Sequence, residues 1–276
     1  MGTSTKLTFG ALQLPSAVAQ AAQQILDRIE NDNDNEDLIH ELANLGRLRE
    51  GALKDHRATG AVFTPYSIAQ ELADLLAVGP GEVVCDPSVG SGVFLLAVAE
   101  QKFQRGESIP SIAETLRGID IDPVSVEVAR LTLKLWATWR GGRWPSTDHL
   151  TVGDGLLTVP AEWLGTCDVV IGNPPFLGQL KSETSRDRRR AQALKQRFGS
   201  RYTAYVDESM LFFLLAVELT SENGRVALIA PSSTLGSDSG QLAREWIDSR
   251  LALSGIWVGG RSVFDSTAVD VIAPIL

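Results

Sequence analysis

The chain has 276 residues, 44% of them hydrophobic, and a formal net charge of −9 at pH 7. This length suits one large α/β domain, or one domain with an appendage. The acidic balance means that any nucleic-acid contact must depend on a local cluster of positive charge. The two cysteines, Cys85 and Cys167, form no paired framework, and they show no metal-ligand spacing with the three histidines. We therefore expect a reducing compartment and no metal.

The targeting signals also bound the location of the protein. The N-terminus lacks a basic stretch followed by an apolar one, so no signal peptide is predicted. The longest apolar run, 210–217, is too short to cross a bilayer. These features predict a cytoplasmic protein without a membrane segment.

The first predicted elements are two helices. Apolar residues recur at helical spacing from residue 16, the polar residues 31–35 interrupt the pattern, and leucines then repeat at helical spacing from Leu38 to Leu48. We predict that residues 1–57 form an N-terminal helical segment and that 58–276 form the catalytic domain. The segment is expected to cap that domain, and the alternative is an arm that binds a partner.

Strand and helix signals then alternate to the end of the chain. Alternation of this kind predicts an α/β fold, with a mainly parallel, seven-stranded, Rossmann-like sheet covered by helices on both faces. The last two strands are separated by a short loop and are expected to form an antiparallel hairpin at the sheet edge. Strands are predicted at 82–86, 116–121, 149–153, 167–172, 225–230, 253–259 and 268–275, and helices at 66–78, 91–103, 123–139, 205–221 and 238–250.

Residues 177–204 break this alternation. The segment is polar, shows little apolar periodicity, and carries eight basic but only two acidic side chains. A loop of this length inside a compact domain is usually functional or disordered. We predict a loop that contacts nucleic-acid phosphates, including Arg188, Arg189 and Arg190, and the alternative is a solvated loop with no ligand.

The first predicted strand of the sheet runs into an acidic residue and a glycine-rich turn. Asp86-Pro87-Ser88 is followed by Gly90-Ser91-Gly92, and glycines at such a turn let the backbone approach a ligand. A dinucleotide fingerprint would place a third glycine where Leu95 stands, and no P-loop lysine follows. A carboxylate here would repel a pyrophosphate but attract an ammonium. S-Adenosylmethionine has an ammonium and a sulfonium and no phosphate, although an ordinary βα turn is the alternative.

Two further acids follow the next two predicted strands. Asp120 is placed to accept hydrogen bonds from ribose hydroxyls, whereas Asp122 precedes Pro123 and is expected to cap a helix. Asp154 could accept from the amino group of the cofactor adenine, although Gly153-Asp154-Gly155 also fits a plain turn. Since ligands bind at the carboxyl ends of strands in open α/β sheets, these acids are expected to lie together.

The fourth strand delivers the tetrapeptide Asn173-Pro174-Pro175-Phe176. The prolines stiffen the backbone and remove two N–H donors, while the asparagine offers a carbonyl acceptor and the phenylalanine a flat face. Together these groups suit a planar molecule that carries an –NH2. The chemistry indicated is methylation of an exocyclic or amide nitrogen.

With these motifs in order, the chain resembles the N6-adenine DNA methyltransferases of the gamma arrangement. These include the Taq-type enzymes and the methyltransferase parts of type I and type IIG restriction-modification systems. The resemblance covers residue 58 to the end and rests on a Phe-Thr-Pro segment that precedes the glycine-rich motif, the ribose acid and the Asn-Pro-Pro-Phe motif. It implies S-adenosylmethionine as the cofactor, held by residues Thr59, Gly60, Phe63, Thr64, Pro65, Asp86, Pro87, Ser88, Gly90, Gly92, Asp120, Ile121, Asp154 and Gly155.

The resemblance also implies the reaction. The target adenine of double-stranded DNA is flipped out of the helix, and its N6 amino group donates to Asn173 and the Pro174 carbonyl before it attacks the cofactor methyl. Phe176 would stack on the base, and Phe264 matches a second aromatic that covers its other face, although a core phenylalanine is the alternative there. The implied setting is a restriction-modification or phage-defence system.

Members of this family also need a region that recognises the DNA sequence. None is predicted within these 276 residues, so recognition is expected from a part of the protein or a subunit outside this chain, and the alternative is an enzyme of relaxed specificity. Two other functions remain open. The first is methylation of a glutamine amide in a protein or of an RNA adenine, and the second is an idle scaffolding subunit that retains the fold.

Overall fold

The computed structural model describes residues 13–31, 37–52, 63–176, 188–202, 206–259 and 270–276. An N-terminal pair of helices precedes a sheet with helices packed against both of its faces. Short 3₁₀ turns complete the connections. The helices are α1 (Ser16–Asn31), α2 (Ile39–Gly51), α3 (Tyr66–Leu75), α4 (Val93–Gln104), α5 (Ile109–Thr115), α6 (Pro123–Trp139), α7 (Gly155–Thr158), α8 (Arg188–Phe198), α9 (Glu208–Leu219) and α10 (Gln241–Asp248).

The strands form one twisted sheet in the order β3-β2-β1-β4-β5-β8, and β7 lies outside β8. The pairs from β3 to β5 are parallel, whereas β8 is antiparallel to both β5 and β7. The short β6 pairs with β8 in the same register as β5 and continues that strand, so the sheet has seven strand positions. The strands are β1 (Val84–Asp86), β2 (Leu116–Asp120), β3 (His149–Val152), β4 (Cys167–Gly172), β5 (Thr220–Leu228), β6 (Ala230–Pro231), β7 (Gly255–Val258) and β8 (Val271–Ile275).

The predicted seven-stranded, mainly parallel architecture is therefore confirmed. Side chains of the central strands alternate between two buried clusters: Val169 and Ile171 face one, and Val170 faces the other. Because successive strand residues point to opposite faces, both faces must be covered. The first cluster contains residues of α1 to α6 and the second contains residues of α9 and α10.

The expected edge hairpin exists, but its second strand is not the edge. β8 inserts between β5 and β7, which leaves β7 as the outer member of the sheet. Strand β5 also begins at Thr220, well before the predicted residue 225. The residues before 225 bulge away from β4, because Cys167 pairs with Thr220 while Val169 pairs with Arg225.

The prediction of a loop throughout 177–204 is wrong over α8, which spans Arg188–Phe198. The helix buries Leu194 and Phe198, which are four residues apart and so lie on one helical face. The surrounding arginines and glutamines hid this short apolar stripe in the sequence. Helices α5 and α7 were also missed, because seven and four residues are too short to show a clear period.

The N-terminal helices pack against the first buried cluster. α1 and α2 contact each other and α6, and Leu42 and Leu45 of α2 are fully buried in that cluster. The division into a cap and a catalytic domain stays a prediction, and Arg49 at the end of α2 lies beside Asp122, which follows β2 by two residues. In the residues described, no helix combines the length and apolar composition needed to span a bilayer.

Candidate active site

Four polar side chains lie where successive parallel strands end. Asp86 is the last residue of β1 and Asp120 the last of β2; Asp154 follows β3 by two residues, and Asn173 directly follows β4. Because β3, β2, β1 and β4 are neighbours and run parallel, these side chains share one edge of the sheet. The sequence prediction that they lie together is met for the backbone positions of all four.

The glycine-rich turn is attached directly to β2. The Gly90 backbone N–H donates to Asp120 Oδ2 at 2.9 Å, and the Val89 N–H donates to the Ile119 carbonyl at 3.0 Å. Gly90 and Gly92 have φ of 50° and 85°, a left-handed conformation that favours glycine. A Cβ atom on Gly92 would also lie 2.8 Å from Ala129 Cβ on α6. The turn therefore requires glycine for both its conformation and its close packing.

The Asp86 carboxyl is buried beneath this turn. Its Oδ1 accepts from the Ser88 backbone N–H at 3.0 Å, and a Cβ on Gly172 would lie 2.5 Å from that same oxygen. Only 1% of Asp86 is exposed, and this burial raises its pKa to about 7. The free carboxyl therefore has a cost for being charged that a bound cation would offset.

Asp120 holds two loops and keeps further acceptor capacity. Besides the Gly90 N–H, its Oδ1 accepts from the Asp122 N–H at 2.9 Å. Burial raises its pKa. A carboxylate has about four lone-pair sites, so two remain for a ligand. Ile121 beside it is 66% exposed and offers an apolar surface at the same edge. Asp122 caps α6 as predicted, accepting from the Ser125 N–H at 3.0 Å.

Asp154 caps α7 and is paired with an arginine from α8. Its Oδ1 accepts from the Leu156 N–H at 3.0 Å, and Arg190 Nε donates to its Oδ2 at 2.6 Å. Arg190 also pairs with Glu208, and these two acids raise the pKa of the arginine. The Arg190 guanidinium is engaged by two carboxylates of this chain, and its predicted contact with DNA phosphates stays a prediction. Arg188 and Arg189 are exposed at the start of α8.

Asn173 is oriented by the Phe-Thr-Pro segment. Its Nδ2 donates to Thr64 Oγ1 at 3.0 Å, and Thr64 is 5% exposed. The other amide atom, Oδ1, is buried and has no hydrogen-bond partner among the described residues. A buried acceptor without a donor is costly. The amide oxygen is thus fixed in direction and suited to an incoming N–H.

Some of the other predicted site residues lie within the described part of the chain and some lie outside it. Pro174 is buried, and Pro175 and Phe176 are partly buried, with Phe176 packed beside the first cluster. Phe63 and Pro65 lead into α3, where Pro65 precedes the first helical residue. Thr59, Gly60 and Phe264 lie outside the described residues, so their predicted roles stay predictions.

Helix α2 also contributes to the site, which the sequence did not predict. A Cβ on Gly46 would lie 3.0 Å from Ser91 Cβ, so α2 packs against the glycine-rich turn. Arg49 is buried and donates from Nη2 to Asp122 Oδ2 at 2.6 Å. Burial and the nearby Asp120 raise the pKa of Glu50 to about 7, although Arg49 opposes the shift. The only signal in the sequence was a glycine inside a leucine-rich helix, which marks close packing.

Comparisons with known proteins agree with this geometry. A Listeria monocytogenes protein assigned to class I of the S-adenosylmethionine-dependent methyltransferases superposes with a TM-score of 0.63 at 19% identity, over 92% of this chain and 72% of that one. The methyltransferase subunit of a type I restriction-modification system from Streptococcus thermophilus gives a TM-score of 0.60 at 17% identity, over 94% and 60% of the two chains. At these identities the likeness establishes the fold.

One curated protein is also similar to this chain in sequence. The type II methyltransferase M.AccI of Acinetobacter calcoaceticus is 22% identical over 197 residues. That match covers 71% of this chain but only 32% of the relative, so the chain spans about a third of its length.

The site residues fit the cofactor that this fold binds, S-adenosylmethionine. Acids at three strand ends suit an ammonium, ribose hydroxyls and an amino group, and the exposed Ile121 suits the flat adenine. The predicted cofactor is confirmed at the level of the family. The model of the N-6 DNA methylase family matches residues 45–275, and the chain therefore belongs to that family.

Proposed function

We propose that this domain transfers a methyl group from S-adenosylmethionine to the N6 amino group of an adenine flipped out of double-stranded DNA. The observation that supports this most directly is Asn173 Oδ1, which is buried and unpartnered among the described residues. Such an acceptor is suited to a planar –NH2 group. The family match and the likeness to restriction-modification subunits favour DNA as the carrier of that group.

The direction of the Asn173 amide determines what its oxygen can do. Because Nδ2 donates to Thr64 Oγ1 at 3.0 Å, Oδ1 is held as an acceptor. The Pro174 carbonyl follows on the same rigid backbone and would accept the second N–H of the substrate. These two bonds would localise the nitrogen lone pair, which is otherwise delocalised into the ring. The cofactor, when bound, supplies a methyl group on a positively charged sulfur.

The three strand-end acids would hold the cofactor. Asp86 faces the ammonium, Asp120 accepts from the ribose hydroxyls, and Asp154 accepts from the adenine amino group, with Ile121 against the adenine ring. The buried carboxyl of Asp86 and the free lone pairs of Asp120 support these roles. Positioning of this kind lowers the barrier without a general base.

The DNA side of the site would combine aromatic and basic residues. Phe176 would stack on the flipped adenine, and Phe264 would cover its other face. Arg188 and Arg189 are exposed at the N-terminal end of α8, where the helix dipole adds positive potential. The net acidic charge of the chain supports a further role for a recognition region or subunit outside these residues.

The substrate class is tested by offering the purified protein labelled S-adenosylmethionine with an adenine-containing duplex, a structured RNA and a glutamine-bearing protein. We expect label in N6-methyladenine of the duplex, at a rate lowered by about 10²- to 10³-fold when Asn173→Ala replaces the wild type. Transfer only to RNA or to a glutamine amide would overturn the proposal in favour of the other amino-bearing substrates. Cofactor binding without transfer to any of them would favour an idle scaffold.

Cofactor binding is expected to depend on pH through Asp86. Its pKa of about 7 in the free protein lies above the ordinary 3.8, so the carboxyl is largely protonated below pH 7 and cannot attract an ammonium. We expect affinity for S-adenosylhomocysteine, which carries the same ammonium, to be about twentyfold lower at pH 5.5 than at pH 7.5. Calorimetry in buffers of different ionisation enthalpy measures both the affinity and the proton released.

The raised pKa of Asp86 also makes the stability of the folded protein depend on pH. A raised folded-state pKa means that the folded protein binds more protons than the unfolded chain between pH 3.8 and about 7, so this carboxyl lowers stability as pH rises through that range. Asp86→Asn is the control, because it removes the titrating group and should flatten the pH dependence of both stability and ligand affinity. A pH-independent affinity in the wild type would contradict the assignment of Asp86 to the ammonium.

A further inference from the structure

We infer that Arg190 is a positioning residue that sets the selectivity for the adenine base of the cofactor by fixing the Asp154 carboxylate. The inference deepens the proposed function and rests on the adenine-accepting role given there to Asp154.

Arg190 holds Asp154 with two donors of one rigid fork. Nε donates to Oδ2 at 2.6 Å and Nη2 to Oδ1 at 3.4 Å. The guanidinium is itself fixed from the other side, because Nη1 donates to Glu208 Oε2 at 3.1 Å and Nη2 to Glu208 Oε1. The side chains of Asp154 and Glu208 are only 13% and 3% exposed. A charge-assisted fork held between a partly buried and a buried carboxylate restricts rotation of the Asp154 carboxylate far more than one surface contact does.

The hydrogen bonds that the Asp154 carboxylate already makes leave it one lone-pair site for a ligand. The carboxylate has about four lone-pair sites. One accepts the Leu156 N–H, which begins α7, and two accept Arg190. One direction is left, on Oδ2, and a single N–H of an amino group would use it. An inosine ring has a carbonyl in place of that amino group and would face Oδ2 with a lone pair.

The position of Arg190 in α8 also links the proposed DNA surface to the proposed cofactor site. Arg190 lies in the first turn of α8, two residues after Arg188 and one after Arg189. The basic residues proposed to face DNA are therefore attached, through one helix, to the acid proposed to face the cofactor. Arg190 pairs with the partly buried Asp154 and the buried Glu208, because carboxylates taken out of water need a counter-charge.

The test compares binding of S-adenosylhomocysteine and S-inosylhomocysteine by calorimetry. We expect the wild type to prefer the adenosyl ligand and Arg190→Gln to bind that ligand about tenfold more weakly while its affinity for the inosyl ligand changes little. Arg190→Lys retains the charge but loses the fork, so its preference should be intermediate. The matched control is Arg197→Gln, which removes another ion pair of α8, that with Glu218 at 2.8 Å, and should leave the preference unchanged.

Two results would overturn the inference. A folded Arg190→Gln protein that retains the full adenosyl preference shows that Asp154 needs no positioning. An equal loss of affinity for both ligands shows that Arg190 has a structural role only. If the glutamine variant does not fold, Arg190→Lys with an unchanged preference counts against the inference in the same way.

The outcome is separable from the fate of the proposed methyl transfer. A wild type without an adenosyl preference, or with a preference that Asp154→Asn does not reduce, would reject the role of Asp154 and the inference with it. Absence of transfer to DNA, with the adenosyl preference intact and sensitive to Arg190, would reject the substrate proposal alone.

Discussion

Replacing Asn173 with alanine is expected to lower the rate of methyl transfer by about 10²- to 10³-fold, the loss typical of removing one preorganised polar group from an active site. The structure holds the amide oxygen as an acceptor by a 3.0 Å hydrogen bond from Nδ2 to Thr64 Oγ1. Without that oxygen the substrate nitrogen would keep its lone pair in the ring. The measurement is a single-turnover rate with saturating cofactor, which isolates the chemical step from product release.

Affinity for S-adenosylhomocysteine should stay the same in this variant, because the acids proposed to hold the cofactor lie on other strands. Thr64→Val is the graded control: it keeps the amide but removes its hydrogen-bond partner, so the rate should fall less than in Asn173→Ala. A single-turnover rate within a few-fold of wild type for Asn173→Ala would remove this residue from the reaction.

Asp120→Asn is expected to weaken binding of S-adenosylhomocysteine by about 10- to 100-fold, since hydrogen bonds to a charged group are worth about 1.5–3 kcal/mol. The carboxylate accepts from two backbone donors, Gly90 N–H and Asp122 N–H, and has two lone-pair sites left for ribose hydroxyls. The side-chain amide of the Asp120→Asn variant would turn its NH2 group toward one of these two backbone donors. The glycine-rich turn would then lose one of its attachments to β2.

Asp122→Asn is the matched control for this prediction. Asparagine caps helices about as well as aspartate does, so α6 should begin normally and cofactor affinity should change little. The variant does weaken the pair with Arg49, so thermal stability is measured alongside calorimetry. If both variants bind the ligand equally well, Asp120 does not contact the cofactor.

Much of the fold could be predicted from the sequence because its signals are local. The alternation of apolar strands and amphipathic helices predicted the seven-stranded sheet, and α6 follows the predicted range 123–139 residue for residue. Asp122 was identified as its cap from the proline that follows. The acids and Asn173 were found because each lies at or just after the end of a strand, and parallel strands end at one edge.

The features that were missed leave little local signal in the sequence, either because few of their residues are buried or because their partners are distant in the chain. Helix α8 was missed because only Leu194 and Phe198 of it are buried, too few for a period to appear among arginines. The pairing of Arg190 with Asp154 and Glu208 was not foreseen, because its basic neighbours indicated a phosphate contact. Gly46, Arg49 and Glu50 were not recognised because their position depends on how α2 packs.

The class of fold, the order of the motifs along the chain and the chemical character of each candidate group follow from the residues alone. How those groups are used depends on the folded chain, which pairs Arg190 with two acids, holds the Asn173 amide through a threonine 109 residues earlier, and sets α2 against the glycine-rich turn. Hydrogen bonds and ion pairs act over a few ångströms in space, whatever the distance in sequence, so the order of residues does not reveal these contacts.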